Sequence, residues 1–378
     1  MENFSFNSIC NCIKLFKIIF HNKIMNNIEI KTIQKKIKLY YKKSGRELPW
    51  RVNAKKSQDP YKTLISEIML QQTRVKTVLK YYKKFLKTFP NLKTLALAKE
   101  ERVLKAWAGM GYYRRALNLH SAAKIILNEY SGKIPEEKKK LIKLPGIGDY
   151  TSAAIASFAF GKDEIVIDTN IERFVNRIFN AKYKKTEIYN TKLLAAKVFP
   201  KSNKGDFAQA IMDFSNDFCL KINPKCNVCL ISSNCNYKKT NNFKITKNKK
   251  NKKYCTSYFI VDKKKHFFVR KRPINKILGG MYEVPSTTWT SKKIGYEHLI
   301  KIKNKETIGY PKSLIKHEFS HFTLFSEIII INLANIKKFN FEGKWVNKYS
   351  LKNLPISKLT EKIVDYSLEE FSVLNKFL

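Results

Sequence analysis

The chain has 378 residues, enough for about two domains, and its 44% hydrophobic content is ample for real cores. A formal net charge of +44, from 74 Lys and Arg against 30 Asp and Glu, favours a polyanionic partner, although heavy use of Lys, Asn and Ile throughout points to a compositional bias behind part of that excess. Seven cysteines, four of them within seventeen residues, suit a metal site in a reducing compartment and argue against a disulfide framework. The apolar run Ile9–Phe20 contains Lys14 and Lys17, is too short to span a bilayer, and has nothing basic before it to make a signal peptide.

Residues 1–28 are expected to be an N-terminal extension not native to the protein, with Met25 as an alternative start that opens a cleaner pattern. Ile28–Lys43 is helical by pattern and stops at Ser44-Gly45, and Leu48-Pro49-Trp50-Arg51 is a turn. Pro60–Leu79 is predicted as one helix, with Leu64, Ile68, Val75 and Leu79 on its apolar stripe. Glu67 and Gln71 share a face of it and suggest a polar pocket lining, while Gln72 points elsewhere. Two further helices, Tyr81–Phe89 and Ala98–Trp107, lead to Gly109-Met110-Gly111-Tyr112-Tyr113-Arg114-Arg115. That run reads either as an apolar wedge with stacking rings and phosphate clamps, or as helix punctuation with its aromatics turned inward.

After a helix over Ala116–Tyr130 comes Leu144-Pro145-Gly146-Ile147-Gly148, a turn between two helical patterns, Glu136–Lys143 and Asp149–Phe160. Its glycines permit positive φ and close backbone approach, and Asp149 is the expected N-cap of the Ala-rich second helix. Free N–H groups at such a helix start make a seat for a DNA phosphate. A short strand, Ile165–Ile167, is predicted to carry Asp168 at its tip. Thr169 and Glu172 match a capping box, which leaves Asp168 without a capping task and available for another. Two or three helices follow within Thr186–Phe218.

Cys219, Cys226, Cys229 and Cys235 can close on a tetrahedral metal or on a cubane cluster, and spacing does not choose between zinc and iron. Residues 236–253 hold eight lysines and no acid, a basic linker. From Tyr254 the pattern alternates: strands at Tyr254–Val261, His266–Arg270 and Ser320–Asn332, and a closing helix at Ser357–Leu368, make a second, α+β domain.

Taken in order, these motifs resemble the helix-hairpin-helix DNA glycosylases, most closely the A/G-specific adenine DNA glycosylases of the MutY family. The resemblance runs over roughly residues 29–370 and rests on SEIMLQQT at 66–73, GMGYYRRA at 109–116, LPGIGDYTSAAI at 144–155, VIDTNIERF at 166–174 and the four-cysteine loop. It implies a mainly α, two-lobed glycosylase domain over 29–235, with a six-helix barrel lobe at about 50–155 and an iron–sulfur lobe from 29–49 plus 156–235. A Nudix-like domain would then occupy 254–378. The family's loop carries a 4Fe–4S cluster, so iron–sulfur is implied over zinc at the four cysteines. Glu67 is implied as the general acid at adenine N7 and Asp168 as the group that stabilises the oxocarbenium ion, facing each other across a cleft. Tyr150 and Asn170 match positions that arrange the site. Gln72, Met110 and Tyr112 would enter the duplex, and Gly146 and Gly148 would meet phosphate.

The endonuclease III branch has a lysine where this chain has Tyr150, which cannot form an imine, so a monofunctional glycosylase is expected. Asp168-Thr169 departs toward that branch, because the adenine family often has Gly after Asp. In the second domain, Arg272-Pro273 and Leu278–Pro285 match the early Nudix-like motif, with Tyr282 where Trp is usual. The acidic signature that holds Mg²⁺ is missing, which makes this a recognition domain. Phe319, Ser320 and His321 match the loop that senses 8-oxoguanine. The expected protein is a monomeric, cytoplasmic enzyme that releases adenine paired with 8-oxoguanine or guanine in duplex DNA. An endonuclease III-like lyase and a non-catalytic damage-binding protein are the alternatives.

Overall fold

The first helix begins where Asn26 and Glu29 cap each other reciprocally, and it runs to Ser44, where Gly45 follows in extended backbone. This computed structural model describes residues 25–51, 58–180, 188–237, 250–292, 301–302, 314–338 and 342–374. The expected extension up to residue 24, with its apolar run, and linker positions 238–249 lie outside the described residues. The helices are α1 (Asn27–Ser44), α2 (Pro60–Leu70), α3 (Val75–Thr88), α4 (Leu92–Ala96), α5 (Glu100–Trp107), α6 (Arg114–Glu129), α7 (Lys138–Leu141), α8 (Asp149–Phe160), α9 (Thr169–Ile178), α10 (Ile188–Val198) and α11 (Lys204–Asp217).

The single helix expected over Pro60–Leu79 is two helices. Gln71 already leaves the helix as its C-cap, and Gln72 sits at a φ of 55°, so α3 starts afresh at Val75. Two other local expectations fail. Residues 161–168 contain no strand, only unpaired chain leading into α9. Asp149 is the first residue of α8 and not its cap; that place is taken by Gly148, and Asp149 pairs instead with Lys138 and Lys192 at 2.8 and 3.0 Å.

The chain divides into two compact units, Met1–Gln71 with Asn128–Ile245, and Gln72–Leu127 with Thr246–Leu378. In the first, Ile33 and Ile37 of α1, Phe174 and Val175 of α9, and Phe207, Ile211 and Phe214 of α11 make one core. Alanines at 153, 154, 156 and 159 bury the Ala-rich α8, and α2 packs on it. In the second unit, Phe85 of α3 meets Trp107 of α5 edge to face at 5.7 Å.

The second unit also holds a mixed sheet from β1 (Asn251–Val261), β2 (Phe267–Lys271), β3 (Tyr282–Glu283), β5 (Leu314–Glu318), β6 (Phe322–Asn332) and β8 (Lys344–Val346), beside a separate pair, β4 (Lys301–Ile302) with β7 (Ile336–Lys338). The strand order is β3-β2-β1-β6-β5, with β8 on β2; β1 and β6 run parallel over eleven residues each. Alternation along β1 sends Cys255, Phe259 and Val261 to one face and Tyr258 and Ile260 to the other. After the short α12 (Lys348–Leu351), α13 (Lys358–Leu374) covers the first of those faces with Leu359, Ile363 and Phe371.

Candidate active site

α2 positions Glu67. Asp59 caps the helix by accepting from the Tyr61 and Lys62 amides, Pro60 sits in its first turn, and every residue from Thr63 to Met69 is buried. Glu67 is therefore an acid set among apolar side chains, 5% exposed. Burial pushes its carboxyl up to about 7, against the opposing pull of a Tyr150 hydrogen bond and the Arg51 charge; the Asp168 charge pushes it the same way as burial. Its Oε2 is buried with no hydrogen-bond partner.

α8 brings Tyr150 and the hairpin. Gly146 has the φ of 78° that the turn requires, whereas Gly148 is at −93°, an angle open to any residue. No side chain caps α8 at Gly148. The Gln71 amide donates to the Gly146 carbonyl and to Thr151 Oγ1, each at 3.1 Å, and so stitches the end of α2 to the hairpin. The tyrosine hydroxyl bonds Glu67, and burial among the two carboxylates raises its pKa well above the ordinary value.

Asp168 is the N-cap of α9, which corrects the expectation that Thr169 would cap it and leave the aspartate unused. In extended backbone, its Oδ1 accepts from the Asn170 and Ile171 amides at 2.9 and 2.7 Å, and its Oδ2 accepts from Asn170 Nδ2 at 2.7 Å. An aspartate caps at least as well as a threonine and here reaches both amides at once. Burial still holds its pKa above the usual value, with these donors and Arg173 pulling it back. The chain of contacts continues: Arg173 donates to Asn170 Oδ1 at 2.9 Å and to the Cys219 carbonyl at 2.7 Å.

Two residues that sequence reasoning passed over complete the surroundings. Asp213 of α11, wholly buried, accepts from the Arg46 backbone and from the Arg46 and Arg51 guanidinium groups at 2.7–2.8 Å. Burial would raise its pKa, but the two arginines outweigh that and hold it low. Arg51, fixed in this way, is the cation whose field reaches Glu67. The only signal was an acid between the apolar Ile211, Met212 and Phe214, with partners more than 160 positions away.

Burial first, then the neighbouring thiols of Cys219, Cys229 and Cys226, push Cys235 up to about 11, and Cys229 is raised for the same reasons. Arg177 donates to Cys219 Sγ at 3.3 Å. Among the described residues, no group of three or more His, Cys, Asp or Glu is arranged to hold a metal ion.

In the second unit, Gln72 and Tyr112 are exposed. Met110, implied to enter the duplex, is buried, and so is Arg115, which donates to Thr73 and the Gly111 carbonyl at 3.0 and 3.2 Å, in keeping with the inward-turned reading of this run. Gly109, at a φ of 93°, lies so close to Tyr81 that a Cβ would sit 2.3 Å from its hydroxyl. Tyr112 donates to Ser320 Oγ at 2.6 Å. Phe319 stacks on Phe322 at 4.6 Å beside Trp289, and Ser320 and His321 stand exposed at the turn between β5 and β6. Tyr282 donates to Glu101 at 2.7 Å.

Residues 65–200 match the HhH-GPD superfamily of base excision DNA repair proteins, and residues 257–366 match a NUDIX domain. The chain is 35% identical over 352 residues to an adenine DNA glycosylase of Buchnera aphidicola subsp. Baizongia pistaciae, a match that covers 87% of this chain and 95% of that one. A thymine/uracil-DNA glycosylase of Methanothermobacter thermautotrophicus is 34% identical over 202 residues, covering 52% of this chain and 89% of its own. A solved thermostable thymine-DNA glycosylase superposes with a TM-score of 0.51 at 31% identity, over 56% of this chain and 97% of that structure. Among the described residues, no helix is long and apolar enough to cross a membrane.

Proposed function

Because this chain belongs to the adenine DNA glycosylase family and is a base-excision DNA glycosylase, we propose that it hydrolyses the N-glycosidic bond of adenine paired with 8-oxoguanine or guanine. The observation that carries this reading is the unlike state of two carboxylates at one site. Glu67 is buried, raised to about 7 and has a free oxygen, whereas Asp168 is ringed by N–H donors. An acid and an anion held apart in this way meet the two needs of the reaction.

Adenine is extruded from the stack, and Glu67 gives its proton to N7. The bond from C1′ to the base breaks with its electron pair going to adenine. Asp168 faces the positive charge left on the sugar. Water then adds to C1′, its proton returning to Glu67, and the products are free adenine and an abasic site. Tyr150 orients Glu67 and, having no amine, leaves the strand intact. Asn170 holds Asp168 in place.

Gln72 and Tyr112, exposed on their turns, are the groups we assign to the gap in the duplex; Met110 would have to leave its buried position to join them. The uncapped start of α8, with Gly146 and Gly148, is assigned to phosphate. Phe319, Ser320 and His321 are assigned to the 8-oxoguanine. We assign a 4Fe–4S cluster to Cys219, Cys226, Cys229 and Cys235 on the chemistry of an all-thiol donor set in which Cys235 feels the other three thiols and Arg177 donates to Cys219. Such a cluster would supply structural cross-linking and redox-active iron. A monomer in the cytoplasm, at the nucleoid, completes the proposal.

The test is single-turnover incubation with duplexes that differ at one pair, followed by alkali to reveal abasic sites. Cleavage at adenine opposite 8-oxoguanine and guanine, with thymine and uracil opposite guanine untouched, is the expected pattern. Release of thymine or uracil in preference to adenine would instead support the activity for which the thymine/uracil relative is named.

A further inference from the structure

A cavity of about 710 Å³ opens within the second unit, lined by α3, α5, α12, α13 and the segment between the last two. Its floor is apolar: Ala106, Ala108, Leu351, Leu354, Ile356 and Val364. Its rim is cationic, and among the described residues no carboxylate pairs with Lys84, Arg102, Lys105 or Lys352. Arg102 lies over Phe89 at 5.4 Å, and Lys105 reaches only the Asn353 amide at 3.4 Å. The two acids on the rim are already taken, Asp365 by Lys348 at 2.9 Å and Glu361 by Lys358 at 2.7 Å.

We infer that this groove is a docking site for an acidic amphipathic segment of a partner protein. Its apolar side chains would fill the floor while its carboxylates meet the four rim cations. The groove's chemistry selects that occupant over the alternatives. A duplex backbone offers phosphates but no apolar group for the floor. A nucleotide would need an aromatic face for its base, and no aromatic residue lines the cavity. The chain's own segments outside the described residues cannot serve either. They hold only Glu2, Glu187, Glu297 and Glu306, one glutamate to a segment, and no aspartate. An acidic helix from another chain supplies both chemistries, the charges speeding encounter and the floor holding the complex.

The test is fluorescence anisotropy of the full chain with a labelled synthetic helix carrying leucines on one face and glutamates beside them. A scrambled peptide of the same composition and an undamaged duplex serve as competitors. Saturable binding, at least ~10-fold tighter than for the scrambled peptide and weakened ~10-fold by Arg102→Glu with Lys105→Glu, is expected. Adenine release from naked duplex by that variant should stay within about twofold of the parent. If that pair does not fold, Lys84→Ala with Lys352→Ala, both exposed, one on α3 and one at the end of α12, carries the same readout. Equal binding of the scrambled peptide, or displacement by duplex as readily as by unlabelled peptide, would reduce the groove to general basic surface and overturn the proposal. Absence of saturable binding would overturn it as well.

Discussion

The end of α2 and the start of α9 each present one carboxylate to the same site, and they treat it in opposite ways. At Glu67 the helix is regular, the carboxyl is buried, and one oxygen has no hydrogen-bond partner. At Asp168 the helix is only beginning, so its unpaired amides turn toward the carboxylate and two of them bond it. Burial raises both groups, but donors pull Asp168 back while Glu67 keeps most of the shift. Position along a helix thus decides how many donors each carboxylate meets.

The largest break in this comparison should come from Glu67→Gln. It removes the proton and is expected to slow single-turnover base release by at least ~10³-fold while duplex binding is retained. Unchanged release would remove the assigned acid. Asp168→Asn comes next: asparagine caps a helix as well as aspartate does, so Tm should hold while release falls ~10²-fold. A loss of Tm to match would mean the carboxylate is only a cap. The pH profile follows, because the proton-bearing form is the active one. The rate should fall about tenfold per unit above the Glu67 value of about 7 and level off below it. A rate that climbs from pH 7 to 9 would contradict the sign.

Smaller still is the stability effect of the same acid. Its folded pKa is raised from 4.5 to about 7, so the native state binds the extra proton between those values and stability declines as pH rises through that window. The Tm gap between Glu67→Gln and the parent should therefore favour the variant more at pH 8 than at pH 4.5, which thermal scans at both would read. Smallest is Ser320→Ala with His321→Ala, expected to erode the preference for 8-oxoguanine over guanine a few-fold. Equal loss on both substrates would count against a sensing role.

Much of this was legible in the sequence for physical reasons. Pro60 marks a helix start, the glycine turn at 144–148 marks a stop, and alternation from Tyr254 marks strands. What escaped were choices made by partners distant in the chain. The apolar stripe through Leu64, Ile68, Val75 and Leu79 runs on in phase, so nothing local announced the break at Gln72, a residue without the glycine freedom that usually signals one. A carboxylate and a hydroxyl stood side by side at 168 and 169, and local pattern alone favoured the capping box over the backbone that Asp168 in fact occupies. The grip of Asp213 on Arg46 and Arg51 joins chain segments that share no periodic signal, and the parallel pairing of β1 with β6 spans the whole second domain.

That grip has a bearing on how the protein comes to life during translation. Arg51 is made early and Asp213 late, with Glu67, Tyr150 and Asp168 between them. A nascent chain on the ribosome therefore carries Glu67 long before it carries the anchor for the cation that lowers its pKa. The Arg46 and Arg51 guanidinium groups meet their buried acceptor only once α11 is made, so a polypeptide ending before α11 would leave both without it.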